Sequence, residues 1–241
     1  MKVTVLQNIM SANDQIAARN KELLEKDKVF AINVMSSPGA GKTTLILETI
    51  RRLKNKIRIA VIEGDIASTI DADKISKEGI PAVQINTGGQ CHIDASMVGT
   101  ALEKLSPEEI DLLFIENVGN LVCPAEFQIG AQKSVMLLSI PEGDDKPYKY
   151  PLMFTTVDAV VIGKMDYQPL SDFNLATFCK TVTGMNPKVE LFKLSAKTGE
   201  GMDSWITWLE LQLTDAQSGM AQRVSSSRDL VSRPRFEPGS T

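Results

Sequence analysis

Residues 29–53 read VFAINVMSSPGAGKTTLILETIRRL, and the order of residue types in this stretch decides the fold class. It opens with a nearly continuous apolar run, as expected of a strand buried on both faces. A loop of small residues follows, Ser36-Ser37-Pro38-Gly39-Ala40-Gly41-Lys42-Thr43-Thr44, and then apolar positions at the three- and four-residue spacing of a helix. Strand, Gly-rich loop, Gly-Lys-Thr and helix is the context that a Walker A phosphate loop requires. The small residues Gly39, Ala40 and Gly41 let backbone N–H groups turn inward around a phosphate, and the helix N-terminus, with Thr44 in its first turn, adds positive potential. Lys42 then reaches the outer phosphates and the Thr43 hydroxyl ligates Mg²⁺. Ser36 stands where the motif has its first Gly, which is tolerable if its backbone is not left-handed.

Outward from this loop, strand-like runs recur at Ile57, Ala82, Leu112, Ser134, Ala159 and Val189. Helix-like stretches lie between most of them: Gly41 to Leu53, Ile66 to Lys77, Ala95 to Leu105, Ser171 to Val182 and Gly201 to Leu213. The alternation predicts an α/β fold, a mostly parallel sheet with helices on both faces: a three-layer α/β/α P-loop NTPase. Ahead of the core, residues 11–27 read as a helix opened by a Ser11/Asp14 capping box, with Ile16, Leu23 and Leu24 on one side. The division expected is therefore an N-terminal helical segment packing on the core over residues 1–28, the nucleotide domain over 29–213, and a tail over 214–241. The tail is rich in Ser, Arg, Pro and Gly, lacks periodicity and reads as disordered or as an extension foreign to the fold.

Composition sets bounds on the partners. The 241 residues are 43% hydrophobic and 23% charged, with net charge -4 and pI about 5.2, which favours neither a nucleic-acid nor a membrane surface as partner. Three cysteines form no disulfide framework, and the first residues lack the apolar core of a signal peptide. A cytoplasmic protein is expected.

In a parallel sheet, ligands gather at the carboxyl ends of the strands, and the remaining candidates fall there. Asp65 ends the second strand and Glu116 the fourth, placed to hold Mg²⁺ or its waters and to orient an attacking water. The sixth strand runs into Gly163-Lys164-Met165-Asp166. A carboxylate at Asp166 accepts N1–H and N2–H₂ of guanine, a pair that adenine lacks, and the Lys164 stem lies over the base. Gly163 stands where guanine-reading loops carry Asn, removing a side chain that ties the base loop to the phosphate loop, so weakened affinity is expected. One strand later, Ser195-Ala196-Lys197 matches a loop whose backbone N–H binds guanine O6. Together these favour GTP or GDP over ATP.

The only histidine and two of the three cysteines fall in two of these loops: Cys91-His92 after the third strand and Cys123 after the fourth. Two thiols and an imidazole suit Ni²⁺ or Zn²⁺, and Cys91, near a helix start, would have its thiolate favoured by the helix dipole. A fourth ligand is water, another side chain or a group from a second subunit, and a homodimer site on a two-fold axis would sense nucleotide-driven movement. Cys179, in a helical stretch, is expected in the core.

SSPGAGKTT, VIEGD, CHIDASM, ENVGNLVCP, SIPEGDDKPYKYP and GKMD, between Val29 and Leu213, resemble the HypB-like hydrogenase nickel-incorporation GTPases. The resemblance implies a GTPase that dimerises with GTP, binds nickel or zinc at Cys91, His92 and Cys123, and uses Lys42, Thr43, Asp65 and Glu116 around Mg²⁺ and phosphate; with Glu116 where a water-positioning Gln is looked for, slow hydrolysis is expected. It further implies a small nickel metallochaperone and the large subunit of [NiFe] hydrogenase as partners. The Cys-rich or His-rich N-terminal extension of some members does not occur here, so nickel storage is not expected. Two other readings share the phosphate loop. The related urease-accessory GTPase carries a Cys-Pro-His motif, whereas Cys123-Pro124 is followed by Ala125. A small-molecule kinase would need an acceptor site and an adenine pocket, with no use for the paired cysteine loops.

Overall fold

A computed structural model describes residues 4–66 and 70–231. Seven strands form one all-parallel sheet: β1 (Phe30–Ser36), β2 (Ile59–Asp65), β3 (Ala82–Asn86), β4 (Leu112–Glu116), β5 (Lys133–Ser139), β6 (Ala159–Gly163) and β7 (Glu190–Lys193). Their spatial order is β3-β2-β4-β1-β5-β6-β7. The chain builds one side of β1 first and then the other, so the crevice at the carboxyl end of β1 is the topological switch point. Every strand expected from the sequence is present, because each is a short apolar run long enough to cross the sheet once.

The nine α-helices of the described residues are α1 (Thr4–Lys26), α2 (Lys42–Leu53), α3 (Ile70–Ser76), α4 (Ala95–Leu102), α5 (Cys123–Glu126), α6 (Lys146–Lys149), α7 (Pro151–Thr156), α8 (Leu175–Met185) and α9 (Met202–Val231). Alternation along β1 sends Phe30, Ile32 and Val34 to one face, where Leu45, Ile46 and Ile50 of α2 and Trp205 and Leu209 of α9 cover them. Ala31 and Met35 point to the other face, toward Leu24 of α1 and Val98 of α4 in one cluster and Phe154 of α7 and Phe178 of α8 in the next. Each such side chain contributes on the order of 1.5–3 kcal/mol by burial. The α9–α2 contact is also keyed: the Trp205 indole N–H donates to Thr49 Oγ1 at 3.0 Å, and Trp205 stacks on Trp208.

Several local expectations are corrected. The first helix already spans Thr4–Lys26 among the described residues, so Ser11 lies within it and not at its start. Its buried line is Asn13, Ala17, Asn20 and Leu24, at spacings of four, three and four, while Leu23 is exposed. Asn20 donates to the carbonyls of Ala95 (2.7 Å) and Ile129 (3.1 Å), so the helix is held by amides as much as by apolar packing. At the other end, α9 continues to Val231, past Thr214 where regular structure was expected to stop. No proline interrupts that stretch before Pro234, and Ala216 still packs on the core. Residues 232–241 of the expected tail lie outside the described residues. The short helices α5, α6 and α7 were not anticipated, each being too brief for a periodic signal.

Candidate functional site

The phosphate loop follows from two glycines. Gly39 (φ 75°) and Gly41 (φ 109°) take left-handed backbone angles that other residues adopt only at a cost, and these turn the chain from β1 into α2. Ser36 does not: its backbone is ordinary strand, which is why Ser is tolerated there. Its hydroxyl donates to Ser37 O at 2.6 Å and accepts from Lys42 Nζ at 3.1 Å, parking the ammonium at the mouth of the loop. Lys42 is 8% exposed, and burial pulls its pKa below the usual lysine value against the opposing pull of Glu116 and Glu63. Ser37 Oγ also donates to Glu142, whose other oxygen accepts from Ser139 N and Oγ, bracing the loop from the end of β5.

A cleft of about 450 Å³ opens beside the loop, lined by Lys42, Thr43, Glu63, Asp65, Asp71 and Glu116 among others. Thr43 Oγ1 donates to Glu116 Oε1 at 2.9 Å. Asp65 ends β2 at the rim of the cleft, as expected. The sequence reading missed Glu63, two residues earlier on the same face of β2 and directly opposite Glu116 in the strand register. Its signal was there: a lone carboxylate inside the apolar run of β2. Glu63 and Glu116 are 3% and 4% exposed, and each keeps one buried oxygen, Oε2, without a hydrogen-bond partner. Burial first, then the neighbouring carboxylate, pushes Glu63 up to about 8. Burial pushes Glu116 up to about 7, against the pull of Lys42 and Thr43. Two orphaned oxygen acceptors beside a threonine hydroxyl and an ammonium are a donor set for a hard cation and a polyphosphate.

A second cavity, about 250 Å³, continues from Gly41 and Thr44 to Gly163, Lys164, Asp166, Tyr167, Leu194, Ser195, Ala196 and Lys197. Asp166 is aimed by Ser195 Oγ, which donates to Asp166 Oδ1 at 2.7 Å. The expected loss of the tie between base loop and phosphate loop is corrected. Lys164, itself left-handed (φ 56°), sends Nζ to Gly39 O at 2.8 Å and restores the tie from the next residue. A side chain at 163 would instead press on Leu137, whose Cδ1 is 2.9 Å from where its Cβ would stand. The cavity has the volume for a purine, and its polar lining includes Asp166 and the 195–197 loop.

The third cluster sits on the same end of the sheet. Cys91 Sγ lies 2.7 Å from Cys123 Sγ and 3.7 Å from His92 Nδ1, and the three ligand atoms are all within 4.8 Å of one another. His92 stacks on Phe127 at 4.1 Å, and burial holds its pKa below the ordinary value, keeping the neutral, ligating form. The Cys123 thiol is pushed up first by its contact with Cys91 and then by burial, while the Asn120 amide at 3.3 Å opposes this. Helix α4 begins at Ala95, four residues beyond Cys91, and Asp94 caps it, accepting from Met97 N. Cys179, on α8, is half-buried and packs against the core cluster that holds Phe154 and Phe178.

Seven parallel strands, a phosphate loop at the switch point and a purine-sized pocket beside it define a P-loop nucleotide-binding protein. The CobW/HypB/UreG nucleotide-binding domain matches residues 30–193. A hydrogenase maturation factor HypB of Rhizobium leguminosarum bv. viciae is 48% identical over 209 residues, covering 87% of this chain and 70% of that one. That of Escherichia coli (strain K12) is 44% identical over 205 residues, covering 85% and 71%. Among solved structures, HypB from Helicobacter pylori in complex with nickel superposes with a TM-score of 0.81 at 39% identity, covering 85% of this chain and 96% of that one. HypB from Archaeoglobus fulgidus gives 0.80 at 36%, covering 84% and 99%. The chain belongs to the CobW/HypB/UreG family and, within it, to the HypB hydrogenase maturation factors. No described helix is long and apolar enough to cross a membrane.

Proposed function

We propose that this protein is a cytoplasmic, GTP-hydrolysing metallochaperone that delivers Ni²⁺ for [NiFe] hydrogenase, with metal affinity set by the bound nucleotide. The observation that carries the reading is the convergence of Cys91, His92 and Cys123 on loops that leave β3 and β4, the same end that presents Glu116 to Thr43. Nickel is cargo in this scheme, and the nickel in the Helicobacter pylori structure supports Ni²⁺ over Zn²⁺ as the ion carried. Three ligands leave a position for water or for a second subunit, which suits an ion that must be handed on. A GTP-promoted homodimer would place two such sets across a two-fold axis. The donor would be a small nickel metallochaperone and the acceptor the hydrogenase large subunit.

Thr43, Asp65 and Glu116 would hold Mg²⁺, and the orphaned Oε2 of Glu116 fits that role. When bound, the cation would neutralise charge on the outer phosphates. Lys42 leaves Ser36 to meet the same phosphates, while Lys164, Asp166, Ser195, Ala196 and Lys197 hold the base. With no Gln or Arg assigned beside the phosphate end, hydrolysis should run well below roughly 1 s⁻¹. The test is a titration of Ni²⁺ and Zn²⁺ into GDP-bound protein and into protein bound to a non-hydrolysable GTP analogue, with subunit mass followed in parallel. Different affinities in the two states support the reading, and equal affinities reject it.

A further inference from the structure

The segment Glu116-Asn117-Val118-Gly119-Asn120 supplies one phosphate-end residue and none of the Cys/His cluster, yet it touches both the phosphate loop and the loops that carry that cluster. Glu116 receives the Thr43 hydroxyl at one end. Asn117, 1% exposed, accepts from Ile93 N and from Val118 N at 3.0 Å each and donates to Asn33 Oδ1 of β1 at 3.2 Å. All three bonds are buried, so its amide has one orientation. Gly119 lies against the phosphate loop: a Cβ there would stand 2.9 Å from both Pro38 Cα and Pro38 N. Asn120 donates to Cys91 O and to Cys123 Sγ at 3.3 Å each, and its own oxygen takes Val122 N at 2.8 Å.

We infer that residues 116–120 form a strap that transmits nucleotide state to the metal thiols, with Asn117 and Asn120 as positioning residues. The inference rests on the nucleotide-gated reading above. Ile93 follows His92 directly, so the bond from Ile93 N to Asn117 fixes the backbone of the histidine loop to the strap. The fully buried Ile93 side chain fills the space over Gly64, where a Cβ would come within 2.2 Å of its Cδ1. It therefore seats the histidine loop on β2 between Glu63 and Asp65. The two metal loops are in this way one body: Asn120 holds the carbonyl of one cysteine and the sulfur of the other. A displacement of the phosphate loop against Gly119, or of Glu116 when it exchanges Thr43 for a cation, moves Ile93 and both thiols together. A two-state element biased by both sites is what reciprocal coupling requires.

The experiment uses the full chain and compares Ni²⁺ affinity, by competition with a chelating dye, in the GDP and non-hydrolysable GTP-analogue states. The quantity read is the ratio of the two affinities, which a general weakening of the site leaves unmoved. In the parent protein a ratio of about 5 to 150 in either direction is expected. Asn117→Ala, Asn120→Ala and Gly119→Ala should each bring it to within about twofold of unity. Gly119→Ala is checked first by thermal melting. If it does not fold, Asn120→Ala carries the test, because Asn120 is only half-buried and bonds loop atoms alone. Variants that keep the parent ratio, even with lower affinity in both states, overturn the strap and leave the gated reading standing. A parent ratio of unity overturns both.

Discussion

The carboxylate pair at the phosphate end makes the nucleotide-free protein sensitive to pH in a direction opposite to ordinary acid denaturation. Glu63, raised to about 8, and Glu116, raised to about 7, both stand above the usual 4.5 of a glutamate. The folded state then binds more protons than the unfolded one across that window, so stability falls as pH rises. The contribution is complete below about pH 4.5 and is lost as pH climbs through 7 and 8. Each group alone changes stability by about 1.4 kcal/mol per pH unit inside its window. From pH 5.5 to 8 independent titration would sum to about 5 kcal/mol, but the Glu116 charge is part of what raises Glu63 and the facing pair is coupled, so about 2–3 kcal/mol is expected. In a chain of this size that is roughly 5–10 °C in melting temperature. Glu63→Gln keeps the shape, removes one charge and relieves the other, so it should flatten the slope and stabilise the protein at pH 8 by about 1–3 kcal/mol. The assay is thermal and urea unfolding of nucleotide-free protein from pH 5.5 to 8, parent beside variant. A parent stability that is flat or rising over this range, or an unchanged slope in Glu63→Gln, would refute the placement of two facing buried carboxyls.

Four other outcomes are expected. Parent protein should prefer GTP to ATP by roughly 10⁴-fold in equilibrium binding, and Asp166→Asn should move the preference toward xanthine nucleotides, since an acceptor facing the base is exchanged for a donor. Lys42→Ala and Asp65→Ala should each abolish phosphate release, and hydrolysis at the parent rate in either would remove that residue from the phosphate site. Cys123→Ser should remove Ni²⁺ binding while leaving guanine nucleotide affinity within about threefold, because the cluster shares no side chain with the base pocket. Asn20→Ala should lower stability by about 2–4 kcal/mol in urea, since it leaves the carbonyls of Ala95 and Ile129 without their donor.

Where the sequence was informative, the reason is local. A strand inside a covered parallel sheet must be apolar on both sides, so β1, β2, β4, β5 and β6 announce themselves, and the phosphate loop needs fixed residue types at fixed spacing. The metal cluster was legible because Cys and His are scarce here and fall after adjacent strands. What stayed hidden depends on contacts distant in the chain. Glu63 becomes notable only when β2 is set beside β4 and the register brings it to Glu116. Lys164 replaces a missing asparagine by reaching Gly39, 125 residues away. Asn13 and Asn20 read as polar interruptions of a helix face until their carbonyl partners from other elements appear. The extension of α9 beyond Thr214 has a similar origin, since polar composition looks like a tail until Ala216 is seen against the core.

The amides of α1 also give the protein a third handle. Ala95, three residues after His92, is gripped on both sides of its peptide: its N–H goes to Asn13 Oδ1 at 3.0 Å and its carbonyl to Asn20 Nδ2 at 2.7 Å. On the far side of the histidine loop stand Gly88 and Gly89, both with positive φ. The loop is thus tethered downstream to α1 and enters upstream through a glycine turn closed by Thr87, whose hydroxyl donates to Gln90 O at 2.8 Å. Whatever moves α1 therefore acts three residues from the imidazole, along a path that does not run through the phosphate loop.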